Sequence, residues 1–150
     1  MKTILRISFV IVLLCLFALP VQGQEKERNY EYGSVWDITY IKTKPGHFDD
    51  LVNDHLANVY KKYLDAYIKD GKVLSYKILD IAWARDDEPN LILMVEYKDW
   101  ATFDTPVEYW EGVSKKVQGS LDKAKQTYID REEIRTIRGS KAAVEILFKK

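Results

Sequence analysis

Both histidines of the chain lie in one short stretch, YIKTKPGHFDDLVNDHL, residues 40–56, among three aspartates. Imidazole beside carboxylate is the donor set of many metal sites and of proton-transfer pairs. A helix starting after Pro45-Gly46 turns by about 100° per residue. His47, Asp50 and Asp54 then share one side, opposite the apolar stripe Phe48/Val52/Val59. That side faces water, so it reads as a solvated charged face and no metal site is assigned. His55 differs. It lies seven residues after Phe48 and four before Val59, at the border of the buried stripe. The plain reading is a hydrogen-bonded histidine at the edge of the core. The sharper one is an axial ligand or a base reaching toward a pocket.

A second set of candidates is Asp37, Lys77, Glu96 and Glu145, each set among apolar residues in an alternating segment. A carboxylate held among apolar neighbours gains a raised pKa and can serve as a base. Lys77 and Glu96, on neighbouring strands, are expected to pair. The competing reading is a set of ion pairs that fixes the register of an assembly. Trp83, with Tyr76 and Tyr97, is a candidate cavity wall, although strand aromatics usually serve the core. There is no H-E-x-x-H, C-x-x-C, G-x-S-x-G or glycine-rich phosphate loop. Zinc-enzyme, hydrolase, NTPase and nicotinamide readings lose ground accordingly.

The elements that must position these groups follow from periodicity. Residues 34–42 alternate, with Trp36, Ile38 and Tyr40 on one side and Val35, Asp37, Thr39 and Ile41 on the other, which predicts a strand. From His47 to about Asp70 the period is helical, with Asp49 and Asp50 in the first turn and Gly71 as terminator. Residues 72–84 and 91–98 read as two strands of a hairpin. A short helix over 99–103 precedes a longer one from Thr105-Pro106 to about Ile134, and residues 141–149 form a last strand.

The order strand, helix, strand, strand, helix, strand predicts an α+β fold, the ferredoxin-like βαββαβ arrangement. Right-handed crossovers give an antiparallel sheet in the order 4-1-3-2, with both helices on one face. The helix-covered face is expected to carry Trp36/Ile38/Tyr40, Leu74/Tyr76/Ile78, Leu91/Leu93/Val95 and Val144/Ile146/Phe148. The other face would then carry Val35/Asp37/Thr39/Ile41, Ser75/Lys77/Leu79/Ile81/Trp83, Ile92/Met94/Glu96 and Ala143/Glu145/Leu147. Such a face is too apolar for water and marks an interface.

The strand followed by KPG, the amphipathic helix opening HFDDL, the hairpin, and YKDWATFDT after the third strand resemble the dimeric α/β-barrel superfamily. That group includes the antibiotic-biosynthesis-type monooxygenases, the stress-responsive dimeric barrels and the EthD-like proteins. The resemblance spans about residues 34–148. It implies a homodimer whose two sheets face each other around a cavity for small aromatic or isoprenoid-like molecules, and in some members haem. It supplies no catalytic residue, so whether the protein is an enzyme stays open.

Composition sets the compartment. Lys2 and Arg6 precede an apolar run, Ile7–Leu19, followed by Pro20-Val21-Gln22-Gly23. This reads as a secretory signal peptide over residues 1–23, and the run is shorter than the roughly 20 residues a membrane span needs. Cys15 is the only cysteine, so the mature chain would have no disulfide. Residues 24–33 read as a flexible polar leader and 34–150 as a single domain. Removing Lys2 and Arg6 from the 23 basic residues leaves 21 against 23 acidic ones, a net charge of −2. Nucleic-acid binding is therefore not expected, nor is a membrane role after cleavage.

Three functions remain. The first is an exported periplasmic or extracellular homodimer that binds a small apolar or aromatic molecule, or converts it without a bound cofactor. The second is a non-catalytic homodimeric module with a closed barrel. The third, resting on His55 and the resemblance, is haem binding or degradation.

Overall fold

The computed structural model describes residues 27–150. The expected export signal and the first residues of the expected leader lie outside the described residues. Strand β1 (Tyr30–Thr43) leads into helix α1 (Asp50–Tyr60), which runs directly into α2 (Lys61–Lys69). Strands β2 (Ser75–Asp80) and β3 (Leu91–Tyr97) follow, then a short 3-10 turn (Trp100–Asp104). Helices α3 (Val107–Gln118) and α4 (Leu121–Ile134) precede β4 (Arg135–Phe148). The protein is α+β, with a four-stranded antiparallel sheet in the order β4-β1-β3-β2. The sheet of one chain is open, not a closed barrel. No helix of the described residues is long and apolar enough to cross a membrane.

β1 starts earlier than its alternation suggested. Tyr30 pairs with Phe148 and Tyr32 with Ile146, so the last part of the expected leader is strand. The long β4 supplies the backbone partners that a polar leader would otherwise lack. β2 is shorter than the expected 72–84, because its partner β3 begins at Leu91, opposite Asp80. The second helical arm reaches Ile134 as expected, but in two pieces. Gly119 adopts φ 87°, which ends α3. Ser120 then caps α4, its hydroxyl accepting from the Lys123 amide at 3.2 Å.

The apolar core lies between the sheet and the helices. Ile41, Leu51, Leu56, Leu91 and Leu93 form one buried cluster; Leu64, Val73 and Val95 form another. Tyr60 packs against both. Burying one such aliphatic side chain stabilises by about 1.5–3 kcal/mol. α3 leans on α2, where Tyr67 meets Trp110 edge-on with centroids 5.0 Å apart.

α1 is wound with i→i+5 hydrogen bonds, a wide form usually confined to single turns. This winding changes which residues point inward. Leu51, His55 and Leu56 are all buried, so His55 lies inside the core layer rather than at its border.

The faces of β1 are the reverse of those expected. Val35 and Ile41 are fully buried under the helices, and Asp37, opposite Val95, shares their side. Trp36, Ile38 and Tyr40 lie on the other face. Both phases of β1 are apolar enough to be the covered one. Pairing with β3, whose Leu91, Leu93 and Val95 face the helices, decides between them. On β4, Val144 is partly buried opposite Val35. Ile146 and Phe148, expected to be covered, lie beyond the helices and are exposed.

Candidate functional site

The uncovered face can be read as rows running across the sheet. One row is Ala143, Trp36, Glu96 and Ser75; the next is Lys141, Ile38, Met94 and Lys77; a third is Gly139, Tyr40, Ile92 and Leu79. Among the described residues, no helix lies over them. The polar groups gather at the first row. Ser75 Oγ donates to Glu96 Oε2 at 2.5 Å. Ser34 Oγ donates to Glu145 Oε2 at 3.4 Å. The Lys77 ammonium sits over the Trp36 ring, 5.1 Å from its centroid, a cation–π arrangement.

Three of the expected site residues, Lys77, Glu96 and Glu145, are therefore brought onto one face. Lys77 does not pair with Glu96 as anticipated. It stands opposite Met94, one position along, and Ser75 takes the place opposite Glu96. The hydrogen bond from Ser75, with the Ser34 hydroxyl near by and the charge of Lys77, holds the Glu96 carboxyl below its ordinary range. Glu96 is thus an ionised acceptor at neutral pH, unlike the raised-pKa base its apolar surroundings suggested.

Asp37 does not belong to this group. It faces the helices, where burial raises its pKa, and its charge in turn raises Tyr60 and Tyr97. Tyr76 and Tyr97 also pack on the helix side, against Leu64, Val73 and Val95, as core residues. Trp83 lies past the end of β2 in the β2–β3 loop, with φ 59° and 98% exposure, and walls no cavity in the single chain.

His55 is in a different place again. It lines a cavity of about 300 Å³ between α1–α2 and α3–α4. Arg131 of α4 donates from Nη1 to His55 Nε2 at 3.1 Å, which makes Nε2 the acceptor and leaves the imidazole proton on Nδ1. Burial, then the charges of Arg131 and Arg135, lower the His55 pKa to about 4, so it is neutral at pH 7. This arrangement does not suit an axial haem ligand, since Nε2 is already engaged by a guanidinium. His47, by contrast, is an exposed partner of Asp50, Nδ1 to Oδ2 at 2.8 Å.

Sequence reasoning missed the other wall of this cavity. Tyr128 and Arg131 fall at i and i+3 on α4, a spacing that places them on one helix face, and Arg135 follows at the start of β4. That spacing was the available signal, and apolar periodicity alone passes over it.

No protein-family model, no curated protein and no solved structure matches this chain.

Proposed function

We propose that the protein is an exported homodimer that takes the ferredoxin-like arrangement and joins through the uncovered sheet face, enclosing a small apolar or aromatic molecule between two copies. One observation carries this reading: Trp36, Ile38, Tyr40, Ile92, Met94 and Leu79 form contiguous apolar rows with no element of the described residues over them, beside the Ser34/Ser75/Glu96/Lys77 group. A face of this kind in water is unfavourable, and a second copy of the same face is its self-complementary cover. Within the enclosed space the ionised Glu96 accepts a hydrogen bond from a ligand hydroxyl or amine, and Lys77 orients an electron-rich group. Without a group of raised pKa on this face, binding is better supported than proton-transfer catalysis.

A second reading is a closed assembly module. The bulk of Trp36, Tyr40 and Met94 favours it, since two such faces can fill the space between them. Native mass spectrometry of the exported protein tests both. A dimer carrying a small extra mass, lost in the Lys77→Ala/Glu96→Gln double variant, supports the ligand reading. A clean dimer supports the module, and a monomer at micromolar concentration overturns both.

A further inference from the structure

The cavity between the two helical arms lies on the side of the sheet opposite the uncovered face, and its charge is unbalanced. Arg131 lines it, and the Arg131 Nε is buried with no hydrogen-bond partner among the described residues. One turn further on, Arg135 is only 5% exposed and its Nε is likewise buried and unpartnered. The nearest carboxylate is Glu132, whose Oε1 lies 3.8 Å from Arg135 and whose side chain is 46% exposed. Burial depresses both guanidinium pKa values, and Arg135 depresses that of Arg131 further. His55, neutral and accepting from Arg131, contributes no negative charge.

The half-buried Arg131 and the buried Arg135 share a single counter-ion among the described residues, the half-exposed Glu132, an arrangement that is expensive unless a further anion joins them. Val59, Tyr63 and Ala124 give the wall an apolar and aromatic part, Ser114, Gln118 and Thr127 add neutral polar groups, and Tyr128 stacks under the Arg131 guanidinium at 5.1 Å. The volume sits at the lower end of ligand-binding cavities, which run from about 300 to 1,000 Å³. It suits one ring with one charged group.

The geometry points to a second binding site here, for a small aromatic monocarboxylate whose carboxylate is held by Arg131 and whose ring lies among Val59, Tyr63 and Ala124. Guanidinium and carboxylate match as planar groups, with two parallel N–H donors to two oxygens. Arg135, fixed at the junction of α4 and β4, adds positive potential without needing to touch the ligand. The site lies within one chain and does not depend on the proposed dimer.

Titration calorimetry of the exported protein with benzoate, benzamide and acetate tests this. Benzoate is expected to bind at least tenfold tighter than benzamide, which lacks the charge, and than acetate, which lacks the ring. Arg131→Gln is expected to remove the preference for benzoate over benzamide. Ala124→Leu, which fills the cavity and leaves the charges in place, is expected to abolish binding of both. Benzoate affinity is expected to be the same at protein concentrations low enough for the monomer and high enough for the proposed dimer. Equal binding of benzoate and benzamide by the unaltered protein, or no binding of either, overturns the proposal and needs no variant to fold. Loss of benzoate binding on dilution to the monomer overturns its independence from the dimer.

Discussion

Ile38 and Ile41 stand three residues apart on β1 and point to opposite sides of the sheet. Ile41 is 0% exposed beneath α1, in contact with Leu51 and Leu56. Ile38 sits between Met94 and Lys141 with nothing packed over it. The two faces carry similar apolar residues, yet one owes its burial to this chain's own helices and the other has no cover among the described residues. The charged groups differ in the same way. Asp37, on the covered face, is pushed toward its neutral form; Glu96, on the uncovered face, is held ionised by serine hydroxyls. Composition alone does not separate the faces, but the physical environment does.

The sharpest contrast is truncation of the two isoleucines. Ile41→Ala is expected to destabilise the fold by about 2–5 kcal/mol, through lost transfer energy and a cavity. Ile38→Ala at low protein concentration should change the urea midpoint little. Equal losses for the two would mean that the uncovered face is already packed within one chain.

Next in size is the pH response of the covered side. The folded pKa of His55, about 4, lies below the 6.5 of an unfolded histidine. The unfolded chain therefore takes up the proton first, and stability falls as pH drops from 6.5 toward 4. The loss should be about 2–3 kcal/mol. Urea titrations across this window should show that slope in the parent protein and not in His55→Gln, whose amide oxygen can still accept from Arg131.

On the uncovered side, Met94→Asp places a carboxylate in the middle row. It is expected to raise the dimer dissociation constant at least tenfold by sedimentation, since a buried unpaired charge costs about 3 kcal/mol or more at an interface. The monomer's own stability should barely move.

The smallest contrast is between the two carboxylates. Asp37→Asn should stabilise the fold slightly at pH 7, because it removes a charge that burial disfavours. The native carboxyl keeps its proton longer than the unfolded one, so the gain appears as pH rises past 3.8 and persists above the raised pKa. Glu96→Gln should give no such gain, since the ionised form is the one its hydroxyl neighbours favour. Thermal midpoints at pH 3 and pH 7 separate the pair.

Much of this architecture was legible in the sequence. The strand-and-helix order and the inward side of β3 follow from periodicity and from the turn residues around Pro45-Gly46 and Asp70-Gly71, whereas the end of α4 at Ile134 does not, since REEIRTIRGS fits a continued helix as well as an opening strand. The face of β1 was not legible, because Val35/Ile41 and Trp36/Ile38/Tyr40 are both apolar sets. Only the register Asp37–Val95 decides between them. The depth of His55 was hidden too, since a 3.6-residue period puts it at the border and the wider winding of α1 carries it inward. Lys77, Glu96 and Glu145 were grouped correctly because each lies on a strand whose phase was clear. Trp83 was misplaced because β2 stops at Asp80, a limit set by where β3 begins.

The extra residue in β4 has a consequence for solubility. β4 is an edge strand of 14 residues, and a long open edge is a template for strand addition and fibril growth. The pairing shifts between Tyr40–Gly139 and Ile41–Ile137, leaving Arg138 unmatched. A bulge of this kind bends the strand and sharpens its twist. An incoming strand therefore meets two short, differently angled runs instead of one straight edge, with Arg138 and Lys141 near the break. The irregularity guards the chain against polymerising through its own sheet.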